Sequence, residues 1–593
     1  MDGIRSLLGH GNELARHFCQ RVRFRTLVFV LTLLFIPLTI LFILYLQWHS
    51  AFEAPKAEMA EHFNPVMTLG PERDLKFLLH PQDHVSRDPG IRHFSWNITK
   101  GMIAPNGVQK DVFLINNEFP GPTIEARSGD TLEIEVFNFA EEEISLHWHG
   151  LHMRGANQMD GPVGITQCAI KQWGRLTYQV PIGDQAGTFW YHAHSEVQRG
   201  DGLYGGLVVH NPTASPENIE YQYDNELLFL VGDWYHWPAA RVLATFMSPT
   251  STGVEPCPDA LLINGLGYFD CSMATHGAPV NCSHVEKPWL MLNKKYRYRV
   301  RLVNVGSLTG FSFTIPDSNF VYHSILYPAE RVDFIVSWPE SVTGADTEVI
   351  IELDDEFFLR PNFALTPTQS FLLAAESGKH QSTNNTTEVH RLSLRDVKGP
   401  PLAEPLPSPG KTFMIYTAIE ALTHLNNIPH GFINHAFWEP QNLPLVSLDR
   451  EIWDSHQLVP WTGSEPTWVE LTINNIDANG HPFHLHRFDF HVITSYEGKG
   501  GWDYYNPFTP TRPPRGGPFN LENPIHKDTV YVPPWGYVVI RFLADNEGIW
   551  ALHCHVLWHQ GSGMSMAFQV LGHEQKGFSD SIVGLSAENL CMT

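Results

Sequence analysis

Apolar and polar residues alternate in short runs along most of the chain after residue 88. "TLEIEVFN" (131–138), "YRYRVRLVNV" (296–305), "WVELTINN" (468–475) and "YVVIRFLA" (537–544) are typical. Successive strand side chains point to opposite faces, so each run predicts an antiparallel strand with a buried face, ended by Gly, Pro or Asn. Helical periodicity is scarce, and many short strands predict an all-β chain of sandwiches or barrels. One run breaks the pattern. "TLVFVLTLLFIPLTILFILYL" (26–46) has 21 residues and no charge, enough to span about 30 Å as a helix. Arg16, Arg21, Arg23 and Arg25 precede it, which predicts a cytosolic segment 1–25 and a lumenal or extracellular body. The run is long for a cleaved signal peptide and "QWHSAFEAP" is a poor cleavage site, so a retained single-pass anchor is expected over the secreted, cleaved alternative. Pro37 is tolerable in such a helix.

Breaks in composition divide the remainder. A polar stalk is expected at 47–87 and a turn-rich seam at "HNPTASPEN" (210–218). A linker at 386–410 ends in "GPPLAEPLPSPG". The expected domains are 88–212, 213–385 and 411–575, with a C-terminal tail at 576–593. The first and third blocks repeat each other. "GTFWYHAH" from Gly187 and "GIWALHCH" from Gly548 both run Gly, four residues, His-x-His, while Asn138 and Asn475 each stand nine positions before His147 and His484. Two motifs at shared spacing predict duplicated domains with a site at their junction.

Charge and cysteine usage narrow the function. A net charge of −24 over 593 residues argues against a nucleic-acid partner and mildly attracts cations. Seven cysteines are too few for a disulfide scaffold but allow a few bridges. Sequons at Asn97, Asn281, Asn384 and Asn385 fit an exported body.

The candidate chemistry is histidine-rich. His147/His149, His192/His194, His484/His486 and His553/His555 are four His-x-His pairs. With 32 histidines, roughly two such pairs arise by chance, so one alone says little. Four placed by an internal repeat say more, because residues i and i+2 of a strand share a face and can aim two imidazoles at one point. Eight imidazoles exceed one tetrahedral zinc site, so several metal ions are implied. Cys554 separates zinc from copper. It faces away from His553 and His555, His559 and Met564 follow at intervals of five, and His481 precedes the third pair by three. Thiolate, two imidazoles and a thioether are the donor set of a blue-copper site.

On "HWHGLHMRGANQMDG", "GTFWYHAHSEVQRGDGLYGGLVVH", "HPFHLH" and "HCHVLWHQGSGM", with "TQC", "DWYH", "LLINGLG" and "NPIHKDTV", the chain resembles the multicopper oxidases of laccase type, nearest to ascomycete enzymes, over about residues 88–575. The resemblance implies three cupredoxin-like Greek-key domains and four copper ions. His481, Cys554 and His559 would hold the type 1 copper with Met564 axial. His147 and His484 would hold type 2, and His149, His192, His194, His486, His553 and His555 the type 3 pair. It further implies one-electron oxidation of phenolic or related aromatic reductants near His481 or His559, coupled to reduction of O2 to water, with radicals usable in pigment or secondary-metabolite synthesis. Asp160 in "MDG" would supply protons. A Cys168–Cys591 bridge is also implied. Two of Cys257, Cys271 and Cys282 are expected to pair, and Cys19 is a candidate lipidation site.

Three departures from the family pattern stand out. Leu308 occupies the place of an acid near the type 1 site, Leu557 that of an acid three residues after the cysteine, and 315–334 is short, which predicts a trimmed middle domain. Two other functions compete. A cell-surface ferroxidase would gain from acidic residues beside the type 1 histidines, and a silent copper-binding surface protein would bind copper without consuming O2.

Overall fold

The computed structural model describes residues 77–592, apart from 213–220, 275–278, 317, 320–323, 341–346, 375–392, 502 and 510–512. Strands form where alternation placed them. Thr131–Asn138 buries every second residue, and Tyr298–Asn304, Thr467–Asn475 and Tyr537–Ala544 occupy the other three runs. In the last, Arg541 tolerates an interior place because Glu470 lies directly opposite in the ladder and pairs with it.

The described strands build six sheets, facing in three pairs. In the first pair, Ile91–Ile103 and Thr131–Asn138 lie in one sheet, Leu146–His149 and Gly187–Ala193 in the other. In the last pair, Lys411–Ala421 and Thr467–Asn475 face a sheet holding His481–Leu485 and Gly548–Cys554. Asn225–Trp234 and Tyr298–Asn304 belong to the middle pair. Each pair contains the same parallel match, Trp96 beside Val136, Val300 beside Leu227 and Phe413 beside Leu471.

A buried asparagine closes the second strand of each match. Asn138, Asn304 and Asn475 each donate to two carbonyls and accept the N–H two residues on. The repeat expected of the outer blocks therefore extends to the middle one, which lacks the histidines.

The apolar interior is unevenly shared. One cluster runs from Trp96, Trp148 and Tyr191 in the first sandwich to Phe483, Trp550 and Phe568 in the third. The middle sandwich keeps its own around Phe229, Leu302 and Phe313. The first and third sandwiches are thus packed through a common core, and that is where the histidine strands lie.

Disulfides join Cys168 to Cys591 and Cys271 to Cys282, leaving Cys257 a free, half-buried thiol. Asn97 and Asn281 are exposed, whereas Asn384 and Asn385 lie outside the described residues, as does Cys19. The stretch 315–334 leads from the strand Phe311–Thr314 into Arg331–Val336.

The single-pass topology requires correction. Among the described residues no helix is long and apolar enough to cross a membrane. The C-terminal helix Ile582–Met592 has 11 residues, about half the length a bilayer demands. The expected anchor at 26–46, with the cytosolic segment 1–25, lies outside the described residues. The membrane-anchored localisation is withdrawn.

Candidate metal centre

Strand register brings the histidine pairs together. His147 stands opposite His192 in the ladder between Leu146–His149 and Gly187–Ala193. His484 stands opposite His553 in the matching ladder of the third sandwich. Across the junction the rings of His149 and His484 stack at 3.7 Å and those of His147 and His486 at 3.9 Å. The donors fall into triads with ligand atoms within 4.8 Å of one another: His149, His192 and His555; His194, His486 and His553; and His147, His149 and His484. All eight imidazoles line one hollow.

Hydrogen bonds fix which ring nitrogens face it. A carbonyl oxygen only accepts, so His147, His192, His484 and His553 must carry their proton on Nδ1, donating to Asp160, Ala193, Asp528 and Cys554 at 2.8–3.0 Å. Their Nε2 atoms are left with lone pairs. His486 Nδ1 likewise donates to the Asp160 carboxylate at 2.8 Å. Burial, reinforced by neighbouring imidazoles, holds His149, His192, His194, His484, His486 and His555 well below the usual histidine range, and burial carries His553 to about 3. These rings are neutral and can bind metal at neutral pH.

The same hollow leaves six ring nitrogens without a protein partner: His147 Nε2, His149 Nδ1, His192 Nε2, His484 Nε2 and both of His555. An unpaired buried polar atom costs about 1–3 kcal/mol. Buried imidazole lone pairs converging on one point are the donor set copper takes, so the residues fit the metal.

Cys554 faces the other way. Its Sγ lies 3.7 Å from His481 Nδ1 and 3.6 Å from His559 Nδ1, which are 3.1 Å apart. Met564 is buried beside them; the Cys554 N–H donates to its carbonyl at 3.1 Å, and the Met564 N–H donates to the His559 carbonyl at 2.9 Å. Although burial opposes charge here too, the two imidazoles bring the Cys554 thiol down to about 7. Against burial, Asp477 and Cys554 raise His481 to about 10, and Cys554 and Glu255 raise His559.

The two carboxylates at this pocket escaped the sequence reading. Asp477 Oδ2 takes His481 Nε2 at 2.9 Å, and Glu255 Oε1 takes His559 Nε2 at 2.9 Å. Asp477 stands four residues before His481 in a loop, where spacing carries no facial meaning. Glu255 comes from the middle block, 304 positions away in sequence. Leu308, where an acid was considered, is wholly buried in the shared core, and Leu557 packs there as well.

Asp160 reaches the cluster through a tight turn. Its N–H closes the turn onto the Asn157 carbonyl at 3.1 Å, and Asn157 Nδ2 donates to the Ile549 carbonyl at 2.9 Å, tying this turn to the strand that carries Cys554. Gly161 has φ +111° and a Cβ there would meet the Leu146 carbonyl oxygen at 2.2 Å, so only glycine lets the chain pass. On the opposite side, Thr529 Oγ1 lies 3.2 Å from both His149 Nε2 and His484 Nδ1. Asp528 is held far below the usual carboxylate range, against burial, by Arg331. Both line a cavity of about 450 Å³ together with Arg331, His152 and Asp489.

Comparison with known proteins agrees with this geometry. Residues 97–214, 225–322 and 424–574 each match the multicopper oxidase family. Laccase-1 of Cryptococcus neoformans var. grubii is 30% identical over 87% of this chain and 86% of its own length. The iron transport multicopper oxidase of Epichloe festucae is 28% identical over 81% of this chain and 76% of its own. The solved laccase of Botrytis aclada superposes with a TM-score of 0.69 at 25% identity, covering 88% of this chain and 96% of that one. The chain belongs to the multicopper oxidase family. It is a laccase-like, copper-dependent oxidoreductase of cupredoxin-like fold, and its imidazole and thiolate groups fit the four-copper arrangement that uses O2 as oxidant.

Proposed function

We propose that the protein oxidises small phenolic or related aromatic reductants one electron at a time at the Cys554 pocket and passes the electrons to O2 at the histidine cluster. In this reading His481, Cys554, His559 and Met564 would hold the type 1 copper, and His147 and His484 the type 2. His149, His192 and His555 hold one type 3 ion, and His194, His486 and His553 the other. Copper bound at these sites supplies single-electron transfer at the thiolate and four-electron reduction of O2 at the cluster. The domains are 88–212, 213–385 and 411–575.

The chain's own groups have distinct tasks. Cys554 is peptide-bonded to His553 and His555, which belong to different triads, so a covalent path leaves the thiolate pocket for both. Asp160, buried, accepts from His486 at its carboxylate and from His147 at its backbone carbonyl, and holds or delivers a proton at the cluster. The cavity floored by Asp528 and Thr529 gives solvent and O2 an approach from the far side. The observation carrying this reading is the juxtaposition of a thiolate–imidazole pocket and eight convergent imidazoles on the two faces of the strand Gly548–Cys554. Its test is O2 consumption by the copper-loaded protein with a phenol. A blue, copper-replete protein that consumes no O2 with any phenol tried contradicts the proposal.

A second reading has its own support. Carboxylates on the outer nitrogens of both His481 and His559 suit Fe²⁺, a hard cation that favours oxygen ligands. Glu356, which accepts the Gly480 N–H at 2.5 Å and the Tyr531 hydroxyl at 2.6 Å, adds a third acid next to His481. The Epichloe festucae relative is an iron transport oxidase. Turnover of Fe²⁺ at or above that of phenols would make ferroxidation the principal activity.

A further inference from the structure

Arg199 is 2% exposed and lies in the short turn Gln198–Asp201 that follows His194. One guanidinium nitrogen donates to the Gly306 carbonyl at 2.6 Å and the other to the His555 carbonyl at 2.9 Å. The fork therefore binds the first sandwich, the Asn304 corner of the middle one, and the end of the Cys554 strand. The guanidinium carbon lies 6.0 Å from the centre of the Trp190 ring, whose centre is 4.4 Å from that of His192 and 5.7 Å from that of His555. Among the described residues no carboxylate lies within ion-pair distance of it. Asp233 attracts it, yet spends its oxygens on the backbone N–H groups of Ser307, Leu308 and Thr309. Two carbonyls could be satisfied by a neutral amide, so what arginine adds is a full charge without an adjacent counter-ion.

We propose that Arg199 is a positioning residue whose fixed buried charge raises the reduction potential of the Cys554 centre while its fork anchors the His555 end of the electron path. The proposal rests on the reading of Cys554 as the type 1 ligand. Reduction adds a negative charge, and a nearby cation screened only by protein interior favours that state. The position is buried beyond the reach of salt, so the effect persists at physiological ionic strength.

The test compares potentials of the visible band in copper-loaded full-length protein, wild type against R199M and R199K, by titration with redox mediators. R199M should shift the one-electron equilibrium toward the oxidised form by about tenfold, which is about 59 mV, with its blue colour intact. R199K keeps the charge and loses the fork, and should stay within about twofold of wild type. A blue R199M protein with an unmoved potential overturns the inference alone. A colourless copper-loaded wild type overturns it together with the reading beneath it. Should R199M fail to load copper, R199K decides: an unmoved potential supports the charge, and a tenfold displacement contradicts it.

Discussion

Two buried histidine assemblies lie on opposite faces of one strand, and the same side chain behaves oppositely in them. In the cluster, imidazoles face imidazoles, and burial drives His192, His194, His486 and His555 below their ordinary range and carries His553 to about 3. In the Cys554 pocket each imidazole touches a thiolate on one side and a carboxylate on the other, and His481 rises to about 10. Burial alone therefore accounts for the cluster but not for the pocket. Partner charge decides, and the alternation of the strand assigns the partners by sending His553 and His555 one way and Cys554 the other.

The contrast breaks most sharply at the cluster. His555→Ala should reduce O2 consumption to background while leaving the blue band of the Cys554 pocket, since the two sites share a strand but no ligand. Loss of the band as well, in a folded protein, would show the sites to be one unit. Asp160→Asn keeps the bond geometry but not the proton, and steady-state turnover should fall about a hundredfold with colour retained. At the outer edge, Glu255→Gln with Asp477→Asn should depress Fe²⁺ oxidation about tenfold more than phenol oxidation, as initial rates with each substrate would reveal.

Much of this was legible in the sequence because strand periodicity converts His-x-His into two donors on one face. Cys554 between two such histidines implied a second site behind the first. Asp477 and Glu255 were not legible, because one sits in a loop and the other in a sandwich without a His-x-His pair. The middle block's membership in the repeat was hidden for a similar reason: Asn304 closes the same corner as Asn138 and Asn475, but no histidine follows to mark it. An apolar run also reads the same whether it crosses a membrane or not, so the anchor expected at 26–46 could not be secured by hydropathy.

A smaller effect belongs to the metal-free protein. Seven cluster imidazoles, those of His149, His192, His194, His484, His486, His553 and His555, lie below their ordinary value of 6.5 when folded, so the unfolded chain binds more protons between about pH 6.5 and pH 3. Stability rises with pH across that window and is lost as pH falls through it. The melting temperature of apoprotein should be a few degrees lower at about pH 5 than at about pH 7. Copper occupying the lone pairs should flatten the difference.

On the proposed reading, the Cys554 thiolate ligates one copper apart from a three-copper cluster joined to it through the backbone. Copper content and visible absorption of wild type and Cys554→Ser, measured on the same preparations, test it directly. Four ions per wild-type chain with an intense blue band, against three ions and no band in the variant, is the predicted result. A variant that keeps the band, or a wild type that binds four ions without colour, would exclude Cys554 as the ligand of a separate blue copper.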